Sequence, residues 1–343
     1  MDLRVGLIGY RLGGAAFHAP FIATTPGLHL DAIVTGNPER RQQAARDHPG
    51  VRLFDRADQL WAPGARIDLV VVASPNRTHV PFGVAALQAG LPVVIDKPFA
   101  PSIAEGERLI EEAERRRLML CPYHNRRWDG DFLTLRALVS DNALGAVRRF
   151  ESRFERWRPQ LRGDWRDSRA PEEAGGLLYD LGTHVIDQAL VAFGPAAPLY
   201  AELDCRRPGS QVEDDVFVAL QHESGVRSHL WVSAVAASPG ARFRVLGASG
   251  AYTKHGLDPQ EALLRDGVRP DAAGFGEEPQ ERWGTLSLAE ETRPVATHRG
   301  HYGQFYAGVA AALRDGAPPP VDARDALRTV SLIERIRKQW GRA

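Results

Sequence analysis

Asp96-Lys97-Pro98 follows the apolar run Pro92 to Ile95, and further along the chain Asp180 and His184 stand four residues apart in Tyr179-Asp180-Leu181-Gly182-Thr183-His184. These side chains could handle a proton beside a reacting carbon. A histidine is the natural proton carrier near neutral pH, and a nearby Asp or Lys sets its orientation and pKa. On a helix beginning near Asp180, Asp180 and His184 would project from one face close to its positive end. The competing reading of His184 is a hydrogen-bonded core histidine amid Val185 and Ile186. Lys97 is one of three lysines, with Lys254 and Lys338, among 43 basic residues. Arginine is a flat, always-charged fork, whereas an ammonium is compact and tunable, so a chain this partial to Arg keeps Lys97 for a reason. Lys254 and Lys338, in a polar turn and a charged terminal helix, read as solvated surface.

Gly6-Leu7-Ile8-Gly9-Tyr10-Arg11-Leu12-Gly13-Gly14 follows the first apolar run and opens a helix at Ala15, a near match to the dinucleotide fingerprint. Gly9 takes the place of the glycine that turns the chain and Gly14 that of the glycine that lets helix and strand pack closely, with Tyr10, Arg11 and Leu12 between them along the phosphate. Arg11 holds the position of the middle glycine, where a side chain should obstruct or reroute the phosphate. The acidic residue that would bind the ribose hydroxyls of NAD is missing; Thr35, with Arg40 and Arg41 one turn into the next helix, suits the 2′-phosphate of NADP better. Against this stands the reading of those arginines as a solvated helix face. Ser74-Pro75-Asn76-Arg77-Thr78-His79 and Asp96-Lys97 end neighbouring strands, at the sheet edge where ligands of open α/β sheets bind. For Asn76 and His79, helix capping competes evenly with cofactor contact.

The elements that must position these residues are legible as a change of rhythm. From Leu3 to Tyr123, short apolar runs (Leu3 to Ile8, Leu28 to Val34, Val51 to Phe54, Ile67 to Ala73, Pro92 to Ile95, Leu118 to Cys121) alternate with amphipathic segments. That pattern predicts a doubly wound parallel sheet. Asn37-Pro38 reads as a helix cap followed by proline at the first helical position. Beyond residue 124 come a helix near Asp131 to Val139 and longer alternating runs, Arg148 to Trp157, Leu199 to Arg206, Val212 to His222, Val226 to Ala234 and Phe243 to Gly247, mostly without helices between them. These predict a mixed or antiparallel sheet. The expected organisation is an α/β protein: a Rossmann domain over 1–123 and an α/β domain over 124–343, with the closing helices at 302–314 and 323–340 free to pack back on the first. Residues 254–284, rich in Gly, Pro, Asp and Glu, read as a surface excursion.

At 343 residues, with 43% hydrophobic and 25% charged residues, the chain is an ordinary globular one. Zero formal charge and interleaved arginines argue against nucleic acid or an anionic membrane surface and for a small-molecule partner. Cys121 and Cys205 show no metal-ligand spacing, so no metal is expected and a cytoplasmic location is the default. No apolar stretch is long enough to span a bilayer.

Ala73 to His79, Ala89-Gly90-Leu91-Pro92-Val93-Val94-Ile95-Asp96-Lys97-Pro98, Gly175 to Asp187 and the closing Gly303-Gln304-Phe305-Tyr306 resemble the Gfo/Idh/MocA oxidoreductases over nearly the whole chain. Gly9-Tyr10, Phe17-His18-Ala19-Pro20 and Asp258-Pro259-Gln260-Glu261 are similar to the branch containing NADP-dependent scyllo-inositol dehydrogenases. The resemblance implies hydride transfer between a nicotinamide and a secondary alcohol of a sugar or cyclitol, with Lys97 and His184 at the reacting carbon and Asp180 supporting them. It implies Tyr123, Asn125, Arg127 and Trp165 near the substrate, and a homodimer or homotetramer formed through the second domain's sheet. Arg11, Asp96 where Glu is common, and Ala174 within a glycine run depart from the family pattern. The reading from another class is a nicotinamide-binding sensor without turnover, which would have no need of Lys97, Asp180 and His184 together. A third is a relic scaffold from which Arg11 excludes any dinucleotide.

Overall fold

The computed structural model describes residues 2–341, and the chain divides into two compact units. The first holds the residues up to Asn125 together with Glu261–Phe275 and Tyr302–Leu327. The second holds Arg126–Gln260, Gly276–His301 and the residues from Arg328 onward.

In the first unit six parallel strands lie in the order β3-β2-β1-β4-β5-β6. They are β1 (Leu3–Ile8), β2 (Leu28–Val34), β3 (Arg52–Phe54), β4 (Leu69–Val72), β5 (Val93–Asp96) and β6 (Leu120–Tyr123). Val70, Val71 and Val72, like Val93, Val94 and Ile95, are wholly buried, as parallel strands covered on both faces must be. The helices between them are α1 (Ala19–Thr24), α2 (Pro38–Asp47), α3 (His79–Gln88) and α4 (Ile103–Arg116). Asn37 caps α2 as expected, its side chain accepting from the Arg40 N–H at 2.9 Å. Ser102 caps α4 in the same way through the Glu105 N–H. The strand order reverses between β1 and β4, so a crevice opens at the carboxyl ends of these strands.

The second unit is built on an eight-stranded mixed sheet in the order β14-β13-β12-β11-β7-β10-β9-β8. Its strands are β7 (Val147–Glu155), β8 (Ala196–Asp204), β9 (Asp215–His222), β10 (Arg227–Ser233), β11 (Phe243–Gly247), β12 (Gly250–Lys254), β13 (Gly284–Leu288) and β14 (Thr292–Val295). The β7–β10 pair is parallel and the others antiparallel. Phe150, Phe154 and Phe243 from the sheet bury against Phe132 of α5 (Gly130–Ser140) and Ile186 of α6 (Thr183–Phe193).

Residues 254–284 are not the surface excursion the composition suggests. They contain α7 (Gln260–Arg265), the buried side chains of Asp258, Gln260 and Phe275, and the start of β13. Asp258 accepts from the Gly130 N–H at 2.7 Å and so caps α5 from a distance, while Gln260 donates to the Trp128 carbonyl. Lys254, expected in solvent, is fully buried: its Nζ meets the His255 carbonyl and pairs at 3.0 Å with Glu278. A buried ammonium needs such a partner. Two further helices, α8 (Gly303–Asp315) and α9 (Ala323–Trp340), close the chain. No helix among the described residues is long and apolar enough to cross a membrane, and no group of metal-ligating residues is found among them.

Candidate active site

Gly9 leaves β1 with φ of +100°, and a Cβ there would fall 2.6 Å from the Ala73 carbonyl oxygen. One on Gly14 would fall 2.0 Å from the carbonyl oxygen of Gly9, so both positions demand glycine. The chain then runs through a π-type turn, Gly13–His18, into α1. Tyr10 is buried, and its hydroxyl donates to Asp47 of α2 at 2.8 Å; burial and then that bond raise its pKa. It ties the turn to α2. Arg11 and Leu12 are exposed, and with Tyr10 and Arg40 they line an open cleft of about 830 Å³. A turn only glycine can make, with cations at its mouth, fits a dinucleotide. The backbone from Gly9 to Gly14 would hold the pyrophosphate, and Arg11 and Arg40 a further phosphate. Thr35 is buried, and its hydroxyl accepts from the Asn37 N–H at 3.4 Å. Arg41 is engaged elsewhere, paired with Asp55 and donating to the Leu53 carbonyl, so Arg40 is the helix arginine left to the cleft.

At the ends of β4 and β5 the polar clusters knit together. The Ser74 and Thr78 hydroxyls lie 2.6 Å apart, Pro75 accepts from Thr78, and Asn76 is buried in the short 3₁₀ turn before α3. His79 is buried with Nδ1 2.9 Å from the Pro98 carbonyl and Nε2 2.9 Å from that of Ser74. Burial lowers its pKa, with Asp96 and the two carbonyls opposing; a ring that meets an acceptor at each nitrogen is satisfied at both only when protonated. His79 thereby clips the Lys97-Pro98 segment to the end of β4. Asp96 accepts from the Lys97 N–H at 2.7 Å, and its other oxygen lies 3.6 Å from His18 Nε2. Burial pushes this carboxyl up, but the nearby His18, with Lys97 and His79 behind it, holds it below the usual range. Lys97 is half-buried at the carboxyl end of β5.

Two residues assigned to substrate by resemblance sit at the end of this unit. Tyr123 is buried, its hydroxyl donating to the Phe17 carbonyl at 2.6 Å and its ring centroid 4.2 Å from that of His18. That is a packing position steadying the turn before α1. Asn125 is buried at the head of a 3₁₀ turn.

In the second unit Asp180 lies in a π-type turn, Leu178–Gly182, that feeds directly into α6, one turn before His184. Gly176 permits this approach: its φ is +93°, and a Cβ there would strike the Glu213 carboxylate. Ala174 adopts φ of +45° in the place of a family glycine, a strained conformation for alanine. His184 is buried, with its ring stacked on Phe154 at 6.4 Å. Arg127 grips Asp187 with two bonds of 2.9 and 2.7 Å, so its fork anchors α6 beside His184. The Arg166 guanidinium lies 4.2 Å over the Trp165 ring. Arg162 and Arg166 approach Asp180 at 3.8 and 3.9 Å. Neither arginine is foreseen from the sequence, where both dissolve into an interleaved pattern of charge; the density of arginines between 156 and 169 was the available signal. His18, the partner of Asp96, is likewise visible only as part of a motif.

Comparison with known proteins agrees with this anatomy. Residues 3–124 match the family described as "Oxidoreductase family, NAD-binding Rossmann fold", and residues 132–253 match the GFO/IDH/MocA C-terminal domain. The chain is 39% identical to the uncharacterized oxidoreductase YdgJ of Escherichia coli, covering 97% of this chain and 95% of that one. It is 31% identical to the scyllo-inositol 2-dehydrogenase (NADP(+)) IolW of Bacillus subtilis, covering 97% and 92%. The solved structure of the YPO2259 protein from Yersinia pestis superimposes with a TM-score of 0.91 at 38% identity, covering 99% and 96%. With a nicotinamide-dinucleotide turn in one unit and this second domain in the other, the chain belongs to the Gfo/Idh/MocA oxidoreductase family.

Proposed function

We propose that this chain is an NADP-dependent dehydrogenase of a secondary alcohol on a sugar or cyclitol. The observation that carries the reading is the glycine-only turn at Gly9 and Gly14 with Arg11 and Arg40 lining one cleft beside it. The IolW relative, whose name records an NADP(+) dehydrogenase of scyllo-inositol, supports the same choice of nucleotide.

When bound, the nicotinamide supplies the hydride acceptor or donor. The chain's residues do the rest. His184 would take the proton of the substrate hydroxyl, and Asp180, one turn earlier, would hold the array in register. Lys97 would donate a hydrogen bond to the same oxygen and stabilise the negative charge that develops there. Asp96 and His79 fix the segment carrying Lys97, and the Arg127–Asp187 pair fixes the helix carrying His184. Asn125 and Trp165 would complete the substrate site, while Tyr123 would act through the turn it packs against.

Fluorescence titration with NADPH and NADH, followed by an absorbance assay over a panel of cyclitols and aldoses, tests this. Tighter binding of NADPH and turnover of a polyol are expected. Binding without turnover of any polyol would make the protein a sensor, and failure to bind either nucleotide would overturn the reading altogether.

A further inference from the structure

We infer that His18 is a positioning residue for Lys97: with Tyr306 behind it and Asp96 before it, it steadies the carboxylate on which the Lys97 backbone rests. That Lys97 serves the reaction rests on the oxidoreductase reading above; the Tyr306–His18–Asp96 arrangement rests on the first unit's own geometry.

His18 is the last residue of the π-type turn Gly13–His18, and it is wholly buried. Widened turns of this kind gather at functional sites. This one hands the chain to α1 with the His18 ring between two elements distant in sequence. Its Nδ1 lies 2.6 Å from the hydroxyl of Tyr306 on α8, and its Nε2 faces Asp96 Oδ2, at the end of β5, across 3.6 Å.

The ring's tautomer follows from what is buried. Tyr306 is fully buried, and among the described residues His18 Nδ1 is the one hydrogen-bond neighbour of its hydroxyl. If Nδ1 carried the ring proton, the Tyr306 O–H would be left without an acceptor, a cost that folded chains avoid. Donation from Tyr306 to Nδ1 satisfies both groups and puts the ring proton on Nε2. Burial, with the Tyr123, Asp96 and Cys121 groups adding to it, raises the Tyr306 pKa well above its ordinary value and keeps the hydroxyl a donor. Nε2 has no hydrogen bond, since 3.6 Å is too long for one, but its proton points at a carboxylate that can only accept. Asp96 Oδ2 is thereby drawn towards His18 while Oδ1 accepts from the Lys97 N–H at 2.7 Å. Gly13 abuts the same oxygen: a Cβ there would come 2.9 Å from Asp96 Oδ2. One carboxylate thus joins the proposed phosphate turn, through Gly13 and His18, to the segment carrying Lys97.

Nitrogen NMR of the full chain, isotope-labelled at its histidines, reads the tautomer without requiring turnover. The signals lost in His18→Gln belong to His18 and should show Nε2 protonated and Nδ1 bare; a proton on Nδ1 overturns the inference. With an active polyol, His18→Leu, which fills the space with no polar atom, should lower kcat about tenfold or more while NADPH affinity stays within about twofold. His18→Gln, which again offers one donor and one acceptor, should recover most of that loss, a rescue that mere space-filling does not predict. Tyr306→Phe removes only the hydroxyl and should lower kcat in the same direction, which keeps the test if the leucine variant does not fold. Wild-type kcat in either variant, or equal kcat in the leucine and glutamine variants, overturns the inference and leaves the oxidoreductase reading intact. The expected tautomer in a chain that turns over no polyol would sustain the arrangement and sink that reading.

Discussion

Arg11 stands where a dinucleotide turn ordinarily has its middle glycine, and the structure resolves the conflict by exposure. Its side chain leaves the turn and lines the same cleft as Arg40, so a residue that threatens the phosphate on paper becomes a candidate to hold one. NADPH carries a 2′-phosphate that NADH lacks. Replacing Arg40 by Ala is therefore expected to weaken NADPH binding about tenfold while changing NADH binding by less than about twofold, measured by fluorescence titration. An equal loss for both nucleotides would remove Arg40 from the 2′-phosphate. The sequence pairs Arg41 with Arg40 in this task, but Arg41 is drawn to Asp55 across the neighbouring strand, a contact that no local pattern reveals.

At the scale of elements, the turn between β1 and α1 is the most demanding piece of backbone in the first unit. Gly14→Ala places a methyl group 2.0 Å from the Gly9 carbonyl oxygen, where nothing soft can yield. The expected result is loss of nucleotide binding together with a drop of several degrees in Tm; a variant that binds NADPH normally would show that the turn is not the phosphate site. This turn, the six parallel strands and the Asp180-to-His184 spacing could be read from the sequence because each is a local pattern: a strand, a glycine, a fixed interval. β12, β13 and β14 were not legible. They are short, Pro294 interrupts the pattern of the last, and β12 finds its partner β13 only across the 254–284 segment. The buried Lys254–Glu278 pair and the remote Asp258 cap of α5 were hidden for the same reason, since each joins positions 24 or more residues apart and polar composition alone reads as surface.

Across the molecule, that Asp258 cap has a consequence for stability. Burial, with the Asp131 charge added to it, raises the Asp258 carboxyl from 3.8 to about 6. Between these values the folded chain holds a proton that the unfolded chain has released, so this group's contribution to stability falls as pH rises from about 4 to 6. The full difference is about two pH units, on the order of 3 kcal/mol. Denaturant unfolding should show this slope in the native chain and a shallower one in Asp258→Ala; an unchanged slope would assign it to other groups. The second unit's sheet also leaves Leu199 and Tyr200 of β8 about half exposed, at 52% and 48%, and we propose from this, with the family resemblance, that copies of the chain associate through it as a dimer or tetramer. Light scattering at micromolar concentration should report that mass, and a monomer would refute the association.

The central claim is that Lys97 works at the reacting carbon and not merely in the fold of the cofactor domain. Its most direct measurement is the rate of NADPH formation with an active polyol by wild-type protein and by Lys97→Ala, alongside NADPH affinity in both. Turnover lost by about three orders of magnitude with NADPH affinity retained is the predicted result. A Lys97→Ala protein that turns over at the wild-type rate would contradict it.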